Sequence, residues 1–269
     1  MMEEKLIFIT NDDGIQALGI RTLAHLMSRL GKVVVVAPDS ARSGAGCSIS
    51  STTPIELCKW EGFGDLDTDP LLPAKGEHDI EYFTCTGTPV DCVKIAHEQV
   101  LHATPDLVVS GINHGDNASV SVHYSGTVGA VIEATLKGWS SIAFSFQGFK
   151  KRPDFSPFFD SIVKITEHVL QHKLPPYECL NVNFPEVEKL QGTRVARMAK
   201  GLWTGEWSSA HNPHGKNMFW LTGAFNNLEP EQTDTDCWAL EHGYASITPI
   251  QLDMTAYDSL EMLRKYLNS

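Results

Sequence analysis

Between residues 5 and 184, short apolar, β-branched runs alternate with stretches whose apolar residues recur at helical spacing. A chain written this way can close into very few architectures. Residues 5–10 read as a strand covered on both faces, ending in Asn11-Asp12-Asp13-Gly14. Ile20, Leu23, Ala24, Met27 and Leu30 then repeat as on one helix face, with Gly31 placed as a C-cap glycine. Residues 33–36 form the next strand, closed by Ala37-Pro38-Asp39 and a small-residue loop, 40–51. Strands follow at 80–84, 107–110, 141–146 and 180–184, with helices at 90–100, 127–136 and 158–170. Strand, helix, strand is a parallel crossover, so the expected fold is α/β: a doubly wound, mostly parallel, Rossmann-like sheet. Ligands of such sheets bind outside the carboxyl ends of the strands, which assigns function to the loops there.

The 269 residues suit one large domain or one domain with an extension. The texture changes beyond Pro185, where Trp203, Trp207, Phe219 and Trp220 stand among Gly, Asn, His and Pro. A strand-like segment, 244–249, and a closing helix, 260–267, end the chain. The expected division is therefore an α/β core, 1–185, carrying the active site, and an irregular β-rich C-terminal extension, 186–269, serving oligomerisation. Large aromatics at irregular spacing suit a contact surface better than an independent core. The stretch 65–78, rich in Asp, Pro and Gly, reads as a long surface loop.

A net charge of −12 without a basic tract disfavours nucleic acid polymers and anionic membranes. No apolar run approaches the roughly 20 residues of a spanning helix. The acidic N-terminus and the short run 6–9 do not make a secretory signal, so the expected compartment is the cytoplasm. Six scattered cysteines without a C-x-x-C pair read as buried free thiols, not disulfides or zinc ligands.

Four segments converge on one edge of the expected sheet. Asp12 and Asp13 are adjacent carboxylates whose repulsion a hard divalent cation relieves, although a helix-start cap suits them equally. Arg42-Ser43-Gly44-Ala45-Gly46 offers a cation, a hydroxyl and backbone N–H groups for an oxyanion, or is a flexible surface loop. Ser110-Gly111-Ile112-Asn113-His114-Gly115-Asp116-Asn117 adds Asn113 as a third oxygen ligand; His114 fits a structural hydrogen bond better than a general base. Tyr124-Ser125-Gly126-Thr127-Val128-Gly129 opens a helix in the manner of phosphate sites, or is ordinary capping by Ser125 or Thr127.

In this order, with Ile9-Thr10 before Asn11, Ala37-Pro38, and Thr235-Asp236, Gly243-Tyr244 and Ser246-Ile247-Thr248-Pro249 near the end, the chain resembles the SurE (survival protein E) family. The resemblance covers nearly the whole chain. It implies a metal-dependent phosphomonoesterase acting on nucleoside 5′- and 3′-monophosphates, with side activity on short polyphosphate. It also implies one divalent metal ion per subunit, magnesium or manganese, held by Asp12, Asp13, Ser43 and Asn113, and a homodimer or homotetramer with exchanged C-terminal elements. Hydrolysis by metal-activated water follows, with catalytic roles for Asp12, Asp13 and Asn113, and with Asn117, Ser125, Gly126 and Thr127 holding the phosphate oxygens.

An aspartyl-phosphate route lacks its Asp-x-Asp spacing. The alternative from another class is a non-catalytic nucleotide-binding regulatory module. Its usual motifs are missing: G-x-G-x-x-G is absent from the first turn, and neither Gly31-Lys32 nor Gly215-Lys216 completes a Walker loop.

Overall fold

The structure is a computed structural model that describes residues 4–64, 68–148, 150–211 and 215–267. The strands are β1 (Leu6–Thr10), β2 (Lys32–Pro38), β3 (Leu57–Lys59), β4 (Ile80–Cys85), β5 (Leu107–His114), β6 (Ser141–Phe146) and β7 (Glu178–Phe184). They continue as β8 (Gly192–Val195), β9 (Gly201–Thr204), β10 (Trp207–Ala210), β11 (Met218–Leu221), β12 (Ala224–Asn227) and β13 (Tyr244–Gln251). The helices are α1 (Leu18–Met27), α2 (Pro89–Gln99), α3 (Gly126–Leu136), α4 (Phe159–Gln171), α5 (Asp236–Glu241) and α6 (Tyr257–Leu267).

The main sheet runs β3-β4-β2-β1-β5-β6-β7-β13-β8, and β1, β2, β4, β5, β6 and β7 are mutually parallel. From β1 the chain winds one way through β2 to β4. It then returns to β5 on the other side of β1 and winds outward through β6 and β7. The strand order thus reverses between β1 and β5, and the crevice of a doubly wound sheet opens there. The fold is the α/β, doubly wound, mostly parallel sheet expected from the alternation, with extra antiparallel strands toward the C-terminus.

Pleating divides the core. Ile7 and Ile9 of β1 face a cluster with Ile20, Leu23 and Met27 of α1 and Ile162 and Val169 of α4. Phe8 faces the opposite cluster, with Val34, Val36, Val93 of α2 and Ala130 and Ala134 of α3. Gly31 serves a different end from the C-cap expected of it. Ser28 caps α1, and Gly31 lacks a left-handed φ. A Cβ there would lie 2.3 Å from the Lys5 carbonyl, so close packing requires the glycine. All six cysteines are free, as expected, but not all are buried: Cys47 and Cys58 are exposed.

Beyond Pro185, β8 and β13 rejoin the sheet. β13 pairs antiparallel with β7 and parallel with β8. Between them β9 pairs with β12 and β10 with β11, forming a two-stranded arm. The extension was expected to be β-rich, but the individual arm strands and the β3 edge strand were not legible, because strands of three or four residues lacking a buried face show no period-two pattern. Of the stretch 65–78, residues 65–67 lie outside the described residues. The remainder lies over the end of α1, where His25 Nδ1 meets Pro73 O at 2.9 Å and Gly76 N–H donates to Ser28 Oγ at 2.8 Å. No described helix is long and apolar enough to cross a membrane.

Candidate active site

The turn after β1 is built to present two carboxylates. Asn11 closes it on itself: its Nδ2 donates to Gly14 O at 2.9 Å, and Gly14 N–H donates back to Asn11 Oδ1 at 3.2 Å. Gly14 has φ +94°, which L side chains rarely adopt. Asp12 and Asp13 stand inside this closed turn. The Arg42 N–H donates to Asp12 O at 2.7 Å, tying the loop that carries Ser43 to the same turn.

Asp12 is 5% exposed and points at the start of α3. Thr127 Oγ1 donates to its Oδ1 at 2.6 Å, and the backbone N–H groups of Gly126 and Thr127 donate to it as well. The α3 N-terminus expected to grip phosphate therefore grips Asp12. Gly126 and Thr127 position that carboxylate and do not line the cleft. The reason is proximity: a Cβ on Gly126 would stand 2.8 Å from Asp12 Cβ, so the carboxylate already fills the space before the helix. Ser125 caps α3, accepting from Val128 N–H at 3.1 Å, and keeps its own O–H for the cleft it lines.

At the end of β5 the register against β6 shifts between Ser110 and Asn113, a bulge that re-aims the residues beyond it. Asn113 donates Nδ2 to Gly115 O at 2.7 Å, which leaves Oδ1 as its acceptor for another group. The His114 backbone N–H donates to Asp13 Oδ2 at 3.1 Å, a bond that any non-proline residue here could make and that does not involve the imidazole. Its side chain lines the cleft, with Nε2 buried and unpaired among the described residues. Buried Asn117 is held from three sides: its N–H donates to Asn183 Oδ1, its Nδ2 to Ser145 Oγ, and its carbonyl accepts from Asn181 Nδ2.

These loops enclose a cleft of about 600 Å³. Asp12, Ser43, Asn113, Asn117 and Ser125 line it, while Asp13 is not part of the lining and accepts from the His114 N–H. Sequence reasoning missed the part of the lining that comes from the arm, which includes Trp203, Glu206, Leu221 and Thr222. Nothing local marks residues from an irregular segment some 80 positions beyond Ser125 as neighbours of Asp12.

Burial pushes the Asp12 carboxyl upward against its hydrogen bonds. Burial, then the Asp12 charge, raises Asp13 from 3.8 to about 7, opposed by the His114 N–H. Among the described residues, no lysine or arginine offsets either group. Nor, among the described residues, do three or more His, Cys, Asp or Glu side chains gather as a metal cluster. The donors present are two carboxylates with neutral carboxamide and hydroxyl oxygens, a set that fits a hard divalent cation. A testable consequence follows from the raised Asp13. Folded protein holds this proton more tightly than unfolded chain, so stability without a cation falls as pH rises from about 4 to about 7. Urea titrations in chelator should show that fall, and Asp13→Asn should remove most of it; an identical slope in the variant would count against the coupled pair.

Together the sheet and the cleft define a doubly wound α/β protein with an oxygen-rich, carboxylate-centred site at its switch point. Residues 7–205 match the family model described as Survival protein SurE, and the chain belongs to that family. It is 46% identical to the 5′-nucleotidase SurE of Phocaeicola vulgatus over 264 residues, covering 98% of this chain and 97% of that one. It is 45% identical to the 5′-nucleotidase SurE of Bacteroides thetaiotaomicron, with 98% of each chain covered. Among solved structures it resembles the SurE protein of Aquifex aeolicus. The TM-score is 0.79 at 34% identity, covering 98% of this chain and all of the other.

Proposed function

We infer that this chain is a 5′-nucleotidase: a metal-dependent phosphomonoesterase that hydrolyses nucleoside 5′-monophosphates to nucleoside and phosphate. The 3′-monophosphates and short polyphosphate are secondary substrates. The observation that carries the reading is the pair of buried Asp12 and half-buried Asp13, with no lysine or arginine acting on either among the described residues, beside a cleft large enough for a nucleotide. One divalent ion per subunit, magnesium or manganese, would be held by Asp12, Asp13, Ser43 and Asn113. When bound, such an ion supplies charge that offsets the phosphate and acidifies water. Ser125 through its O–H, and Asn117 through the second N–H of its carboxamide, orient the phosphate oxygens and meet the charge that develops in the transition state. Gly126 and Thr127 keep Asp12 aimed.

Phosphate release from nucleoside monophosphates should fall to background in chelator and return with magnesium or manganese. A full rate in metal-free protein would overturn the mechanism. Tight nucleotide binding with metal but without phosphate release would favour a regulatory module instead.

The assembly we propose is a homodimer or homotetramer built through the C-terminal region. The arm exposes Trp207, Phe219 and Trp220, and α6 has no buried residue while exposing Met262, Leu263 and Tyr266. Apolar surface gathered in this way marks interaction sites. The compartment we assign is the cytoplasm, where six free thiols stay reduced.

A further inference from the structure

The phosphate reading uses Asp12, Ser43, Asn113, Asn117 and Ser125, only part of the lining of a cleft of about 600 Å³. The arm supplies a further part. Trp203 on β9 is braced edge-on by Phe225, with ring centroids 5.8 Å apart and planes at 64°, yet remains 37% exposed beside the cleft. Gly223, also at the cleft, leaves that ring uncovered: a Cβ there would lie 3.5 Å from Trp203 Cε3. Glu206 lies in the link between β9 and β10. Its backbone is fixed by Thr222, whose N–H donates to Glu206 O at 2.7 Å and whose Oγ1 donates to Gly205 O at 3.1 Å. The Glu206 carboxylate has no ion-pair partner among the described residues.

The chemistry of this wall selects its occupant. A braced indole favours a flat ring, because every base offers a π-face for stacking. An unpaired carboxylate favours O–H and N–H donors and repels a second phosphate. A planar heterocycle on a hydroxylated sugar meets both demands, and an extended polyanion meets neither.

Resting on the nucleotidase reading above, we propose that Trp203 and Glu206 form a nucleoside subsite, in which Trp203 stacks on the base and Glu206 accepts hydrogen bonds from the ribose hydroxyls or the base. Glu206 then sets the preference for a nucleoside monophosphate over polyphosphate.

The test compares AMP, 2′-deoxy-AMP, IMP, tripolyphosphate and ethyl phosphate, the last having neither ring nor hydroxyl, in the full chain with manganese. Trp203→Ala should lower kcat/KM for AMP about tenfold or more, mainly through KM, with a far smaller change for ethyl phosphate. Trp203→Phe should recover most of that loss. Glu206→Gln should raise the rate on tripolyphosphate relative to AMP. A narrowed AMP to deoxy-AMP ratio in this variant assigns the bond to the ribose, and a narrowed AMP to IMP ratio assigns it to the base.

Calorimetric titration with adenosine, which carries no phosphate, reads the subsite without turnover: it should bind the unmodified protein and lose affinity in Trp203→Ala. Equal losses for AMP and ethyl phosphate, or equal adenosine affinity in Trp203→Ala and the unmodified protein, would overturn the proposal. Absence of phosphate release from every ester by unmodified protein would instead sink the nucleotidase reading, and adenosine binding would still decide the subsite.

Discussion

Replacing Asp12 by asparagine is expected to lower kcat/KM for nucleoside 5′-monophosphates by at least about a hundredfold while leaving the chain folded. The side chain is buried, so no solvent exposure blunts the loss of its charge. An asparagine oxygen can still accept from the Thr127 hydroxyl and the α3 N–H groups, which keeps the local packing. What disappears is one of the two negative charges that would hold a divalent ion. Ser43→Ala and Asn113→Ala each remove only a neutral oxygen, so their losses should be smaller. Manganese titration by calorimetry should rank the variants in that order, with urea midpoints near that of the unmodified protein. Equal manganese affinity in Asp12→Asn and the unmodified protein would remove Asp12 from the site.

Light scattering at micromolar concentration is expected to give at least twice the mass of one chain. Trp207, Phe219 and Trp220 are 66%, 58% and 69% exposed on a two-stranded arm that has little of its own to pack against. Two-stranded hairpins are marginal in water, so a rigid arm needs a surface to cover it. A stable interface buries roughly 1,200–2,000 Å² in total, an area that several large aromatics and the apolar side of α6 can supply together. Exchange of identical elements between copies is a low-cost route to such an assembly. Serine at Trp207, Phe219 and Trp220 together should shift the mass downward without moving the far-UV signature of the sheet. A full-length monomer would sink this assembly.

Much of the fold was legible because its signals are local. A strand covered on both faces needs a continuous apolar run, and 5–10 and 33–36 show one. A helix packed on a sheet needs a stripe at 3.6-residue spacing, and Ile20, Leu23, Ala24 and Met27 are all fully buried. The meeting of the segments around Asp12, Asn113, Asn117 and Ser125 was legible from strand order, since parallel strands bring their carboxyl ends to one edge. Gly31 was misjudged because a glycine required by a neighbouring backbone looks, in sequence, the same as one required by a left-handed turn.

By itself, then, the sequence determined the layered α/β class, the edge of the sheet where the cleft opens, and the carboxylate, carboxamide and hydroxyl side chains gathered there, because periodicity and residue type act over a few positions. Tertiary structure alone decided that Gly126 and Thr127 turn to Asp12, that Asn113 keeps a free oxygen beyond a bulge, and that Trp203 and Glu206 line the same cleft as Ser125. Those outcomes depend on which distant groups first fill the space before a helix or beside a strand end. That is a matter of packing between elements, and no local pattern encodes it.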